Sequence, residues 1–66
     1  MILTARQLEI INLVKLGYTN KQIGYELFIS EKTVKAYLSR ALALKGARNR
    51  AHLVYLCLTL GEIEGR

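Results

Sequence analysis

Proline is absent from this 66-residue chain, and no internal repeat, linker or low-complexity stretch interrupts it. With nothing to mark a boundary, a single domain over residues 1–62 is expected. Cysteine and histidine occur once each, as Cys57 and His52. One cysteine forms no internal disulfide and no Cys-rich metal site, and it fits a reducing cytoplasm. No second ligand stands three or four residues from His52, so no metal site is expected and His52 reads as a surface or interface residue. Cys57 reads as a small core or interface filler rather than a redox switch. Long apolar runs are missing too. The longest, residues 53–58, is far below the roughly 20 residues that a membrane span needs. Met1, Ile2 and Leu3 run straight into polar Thr4, so no signal peptide is expected. Neither a nucleophile–base pair nor a phosphate-cradling glycine loop is visible, so the expectation is a protein that is not an enzyme and takes no cofactor. A chain this short also buries only roughly 60% of its unfolded surface, which leaves little core to support a substrate cleft.

Acidic residues are scarce as well: five, against ten Lys and Arg, for a net charge of +5 and a pI near 9.7. Such an excess favours polyanions, whether DNA, RNA or anionic lipid. The charge is also unevenly spread. Residues 15–50 hold eight basic residues against Glu26 and Glu31, a net +6 that exceeds the chain's total. Hydrophobic residues make up 52%, enough for a core with apolar surface left over for a partner.

Caps and apolar spacing predict an all-α fold of four helices, over residues 5–16, 20–28, 31–45 and 50–60. Thr4 with Gln7, and Thr19 with Gln22, have the T-x-x-Q spacing of a capping box, in which the two side chains reciprocally satisfy orphan amides. Leu8, Ile11, Leu13 and Val14 form the apolar side of the first helix, and Gly17 ends it. Ile23 and Leu27 are the buried pair of the second. Ser30 is the expected N-cap of the third, so only about three residues join the two, as in a helix-turn-helix. Gly24 costs helix stability; a small residue there either lets the third helix approach closely or is simply tolerated. In the third helix Val34, Leu38, Ala41 and Leu42 point inward, while Lys32, Lys35, Ala36, Ser39, Arg40 and Ala43 share the outer face. Asn49 caps the fourth helix and Gly61 stops it. Leu53, Leu56, Cys57 and Leu60 form a stripe that can dock on the first helix; Val54, Tyr55 and Leu58 then point elsewhere. A helix apolar nearly all round does not suit the surface of a small monomer. Residues 63–66 spell a sequence commonly engineered as a protease cleavage site, and they are set outside the fold as a candidate tag remnant.

Two short capped helices joined by a tight turn, the second with a basic face, match the architecture that places a helix in the DNA major groove. Lys35 and Arg40 can reach phosphates or guanine edges, with Lys32 and Thr33 at the same helix's start. Small Ala36 and Ser39 let the helix seat deeply. Tyr37 can either give its hydroxyl to a phosphate or pack. Asn20 and Lys21 offer backbone amides and an ammonium to a phosphate.

The segments LTARQLEII, GYTNKQIGYELFIS, EKTVKAYLSRAL and GARNR together resemble the DNA-binding domain of the LuxR/FixJ family of bacterial regulators, over about residues 3–57. The resemblance implies that the third helix is the recognition helix and that the fourth supplies a two-fold homodimer interface. It implies Lys35 at a base or phosphate, Ala36 and Ser39 facing base edges, and Asn20 and Lys21 near the backbone. Five positions depart from the family pattern. Gln7 replaces an acidic residue, Tyr37 stands where histidine is common, Leu44 and Lys45 invert the usual order, and Ala41 is smaller than usual. The expectation is therefore a cytoplasmic transcription regulator that binds double-stranded DNA as a homodimer through Val54, Tyr55 and Leu58. RNA polymerase or a larger regulator is a further candidate partner. Two other readings stay open: a promoter-recognition piece like region 4 of a sigma factor, and an interaction module that sequesters a larger regulator through its fourth helix.

Overall fold

Four helices follow one another in the computed structural model, which describes residues 3–65: α1 (Ala5–Lys15), α2 (Asn20–Leu27), α3 (Glu31–Lys45) and α4 (Arg50–Thr59). No strand occurs among the described residues. Each helix stands within one residue of its predicted bounds, because each start carries the side-chain cap that the sequence supplies. Thr4 and Thr19 close reciprocal boxes with Gln7 and Gln22. The Oγ of Ser30 accepts from the Thr33 amide at 3.0 Å, and the Asn49 side chain accepts from that of His52 at 2.9 Å.

Helix ends obey a second rule. Gly17, Gly46 and Gly61 all take positive φ, the left-handed conformation in which the chain turns back on the last carbonyls. At the end of α2 the same job falls to Phe28, at φ 58° and ψ 42°. The Gly24 carbonyl there accepts from the amides of both Phe28 and Ile29. A Cβ added to Gly24 would lie 2.6 Å from the Ile29 carbonyl oxygen. The missing side chain therefore makes room for the α2–α3 turn.

The core is built from Leu3, Ile10, Ile11, Ile23, Val34, Leu38, Ala41, Leu53, Cys57 and Ile63. Helices α1 and α3 pack on each other and each also packs on α2 and on α4, whereas the backbones of α2 and α4 stay apart. Contact on several sides widens the buried face of α1: Ile10 joins Ile11 in full burial, while Leu8, Leu13 and Val14 are half-buried against the core. Gln7 is buried beside them without penalty, since its Oε1 accepts from the Thr4 amide at 2.8 Å.

Three expectations for the C-terminal part are corrected. In α4, Leu53 and Cys57 are fully buried, but Leu60 is 64% exposed. It is the C-cap residue, at the point where the chain reverses through Gly61. Val54 and Leu58 do not point away from the protein; they are half-buried against the core, because α4 lies against both α1 and α3. Tyr55 alone of the predicted outward set is mostly exposed, at 61%. Ile63, set outside the fold from sequence, is only 6% exposed and part of the core. The tail that carries it is tied down twice. Glu62 pairs with Lys45 at the end of α3, and the Glu64 carbonyl accepts from Lys15 Nζ at 2.7 Å.

Candidate nucleic-acid interface

The α2–turn–α3 unit presents one long face of α3 to solvent. Lys32, Lys35, Ala36, Ser39 and Arg40 are exposed, and Thr33 and Tyr37 are half-buried. The opposite side of the helix is anchored by Val34, Leu38 and Ala41. A spacing of three to four residues between these anchors forces the intervening positions outward.

The outer residues divide between two flanks. On one, Lys32, Thr33, Ala36, Tyr37 and Arg40 line a shallow groove of about 320 Å³. On the other, Lys35 and Ser39 join Asn20 and Arg50 around a cleft of about 300 Å³, walled by Leu38 and Leu42. Each flank carries one small exposed residue, Ala36 on the first and Ser39 on the second. Lys21, grouped with Asn20 from sequence, lies elsewhere. It lines a separate groove with Tyr25, Phe28 and Ile29, on the outer side of the α2–α3 turn.

Several site residues already have partners within the protein. Lys35 Nζ lies 3.8 Å from Glu31 one turn earlier, with both side chains exposed. An exposed pair at this spacing contributes only about 0.2–0.5 kcal/mol and yields readily to a stronger anion. The Thr33 hydroxyl lies 2.9 Å from that of Ser30, so it belongs to the start of α3 as much as to its outer face. Tyr37 packs against the core, in line with the packing alternative left open from sequence. Asn20 Oδ1 accepts from Arg50 Nη1 at 2.8 Å.

Arg50 is the member that sequence reasoning missed. It entered only as a basic charge, as the end of the GARNR segment and as the start of the fourth helix, and nothing in a one-dimensional reading places the first residue of α4 beside the first residue of α2.

The sequence profile of the GerE family, described as bacterial regulatory proteins of the luxR family, matches residues 1–57. The chain is 41% identical over 63 residues to the spore germination protein GerE of Bacillus subtilis (strain 168), covering 96% of this chain and 85% of that protein. It is 38% identical over 65 residues to the transcriptional regulatory protein DegU of Brevibacillus brevis, covering 98% of this chain and 28% of that protein. Over 57 residues it is 40% identical to the oxygen regulatory protein NreC of Staphylococcus aureus (strain JH9), 86% of this chain and 26% of that one. The chain thus spans most of the first of these proteins and about a quarter of the other two. Among solved structures, the response regulator ChrA of a heme-sensing two-component system superposes with a TM-score of 0.91 at 33% identity, over 96% of this chain and 31% of that one.

Proposed function

The chain belongs to the luxR family of bacterial regulatory proteins, DNA-binding regulators of transcription, and on that premise we propose how its surface engages a double-stranded site. Helix α3 enters the major groove with Lys32, Thr33, Lys35, Ala36, Ser39 and Arg40 toward the DNA. The observation that carries this reading is the exposed outer face of α3, whose lysines and arginine flank a small-residue centre. A groove about 12 Å wide accepts a helix of that diameter only if its leading face is not bulky. Ala36 and Ser39 meet this condition, and the alanine methyl is available to a thymine methyl. Lys35 and Arg40 then reach guanine edges or phosphates on opposite flanks. Glu31, at the positive N-terminal end of α3, releases Lys35 to the DNA when the helix docks.

Asn20 and the first amides of α2 contact the phosphate backbone and set the register of α3. Two copies bind a two-fold site through α4, where Tyr55 stands clear of the surface beside half-buried Val54 and Leu58. That seam is small. Its apolar burial contributes about 25 cal/mol per Å² against an association cost of at least about 4 kcal/mol. Dimers therefore form on DNA far more readily than in free solution, with half-sites about one helical turn apart.

Selection of duplexes from a random pool by the purified chain tests the reading, and a two-fold consensus is the expected product. Lys35→Ala should then weaken binding to that consensus by about 1–3 kcal/mol and relax preference at one base pair. Loss of specific and non-specific affinity together, with a shallower salt dependence, would place Lys35 on phosphate instead. Unchanged affinity in the folded variant removes Lys35 from the interface.

A further inference from the structure

Helices α2 and α4 do not pack on each other, yet one side chain joins them. Arg50, the first residue of α4, extends its guanidinium to the start of α2, where Nη1 donates to Asn20 Oδ1 at 2.8 Å and Nη2 to the Tyr18 carbonyl at 3.2 Å. Two of the five guanidinium N–H groups are thereby engaged and three remain. The residue is half-buried and forms one wall of the cleft that also holds Lys35 and Ser39, and no carboxylate lines that cleft.

Resting on the DNA reading above, we propose that this cleft seats a single backbone phosphate and that Arg50 is its organising residue. The chemistry of Asn20 supports the assignment. Its amide can present either an acceptor or a donor, and a phosphate accepts only from the donor. With Oδ1 occupied by Arg50, the amino group is the part left to offer. Lys35 passes along the wall of the cleft toward a base edge and adds only its positive field, the Ser39 hydroxyl supplies a further donor from α3, and the N-terminal end of α2 adds its positive dipole. Arg50 therefore acts twice. Its spare N–H groups face the same anion, and its bond to Asn20 orients a second donor toward it. Because Arg50 begins the helix proposed to form the dimer seam, it also ties the spacing of two recognition helices to backbone contact on α2.

The test uses the selected duplex and a series in which one phosphate at a time is replaced by an uncharged methylphosphonate. Binding is followed by fluorescence anisotropy across a range of salt. Wild type should lose about tenfold in affinity at one particular phosphate of each half-site. Arg50→Gln should bind the unmodified duplex about tenfold more weakly, lose its response to that one phosphate, and show a salt slope lower by about one. Arg50→Lys, which keeps the charge, should retain the slope while responding less to the substitution. A purely structural tie gives the opposite pattern, with affinity reduced equally on every duplex and the full response to each phosphate kept. That pattern, or undiminished affinity, overturns the proposal. If Arg50→Gln melts below the assay temperature, Asn20→Ala must respond less than wild type to the same phosphate, and an undiminished response is equally decisive. A wild-type chain that selects no duplex at all removes the DNA reading itself.

Discussion

Phe28 carries the clearest local conflict in the molecule. It adopts a left-handed backbone where the other helix ends use glycine, and its side chain is 94% exposed. The left-handed conformation costs a non-glycine residue about 1–2 kcal/mol. A glycine would bring roughly 0.5–1 kcal/mol of extra unfolded-state entropy, which is the smaller term, and no core packing would be lost. Phe28→Gly should therefore raise the thermal midpoint by a few degrees, up to about 1 kcal/mol of stability. A lowered midpoint would show that the ring stabilises the α2–α3 turn. Cys57 is the other residue whose surroundings make a measurable demand. Burial pushes its thiol above the ordinary cysteine value, and the neighbouring Glu62 carboxylate pushes the same way. A folded pKa above the unfolded one gives a stabilising contribution that is full below the unfolded value, about 8.5. It is lost as pH rises through the folded value. Stability should accordingly fall as pH rises above about 8.5, and Cys57→Ala should flatten that fall. An identical pH profile for the two proteins would mean that the thiol is not titrating differently in the fold.

At the scale of elements, the decisive joint is the one between α2 and α3, since it sets the angle at which α3 leaves the body of the protein. Gly24 governs it. Replacing glycine by alanine inside a helix ordinarily stabilises by about 1 kcal/mol, but here the new methyl would stand 2.6 Å from the Ile29 carbonyl oxygen. That oxygen belongs to the turn backbone and cannot swing aside as a side chain would. Overpacking of this kind costs about 1–3 kcal/mol, so Gly24→Ala should destabilise on balance in urea unfolding. It should also weaken DNA binding by displacing α3. A net stabilisation would show that the turn can move outward at little cost. The four N-caps and the stops at Gly17 and Gly61 were all legible as residue types at fixed offsets, because a cap acts over three or four residues. The docking face of α4 was only partly legible. Its residues are apolar nearly all round, so periodicity did not distinguish the side resting on α1 and α3 from the side facing water.

The whole molecule is small, with principal extents of 28 × 24 × 19 Å, and it closes its core with both ends of the chain. Leu3 and Ile63 are buried with the helices, and the tail is held by Lys45 and Lys15. With Val54 and Leu58 already half-committed to that core, Tyr55 is the most protruding part of the proposed dimer seam. Tyr55→Asp should leave the thermal midpoint nearly unchanged, because the ring is largely in water, while abolishing two-to-one complexes in sedimentation on a palindromic duplex. Intact two-to-one complexes would place the seam elsewhere, on Leu60 or off α4 altogether.

The amino-acid sequence by itself determined the helix bounds, the short turn between α2 and α3, the basic outer face of α3 and the family resemblance. The first three depend on residues within about four positions of one another or on the charge they carry, and the resemblance rests on the order of several such segments. Tertiary structure alone decided that Ile63 belongs to the core, that Val54 and Leu58 lean inward, and that Lys21 and Asn20 face different grooves. It alone brought Arg50 to Asn20 across thirty residues. These outcomes depend on how α4 and the tail settle against α1 and α3. That packing is a compromise among several apolar faces of similar strength, and no single stretch of sequence specifies it.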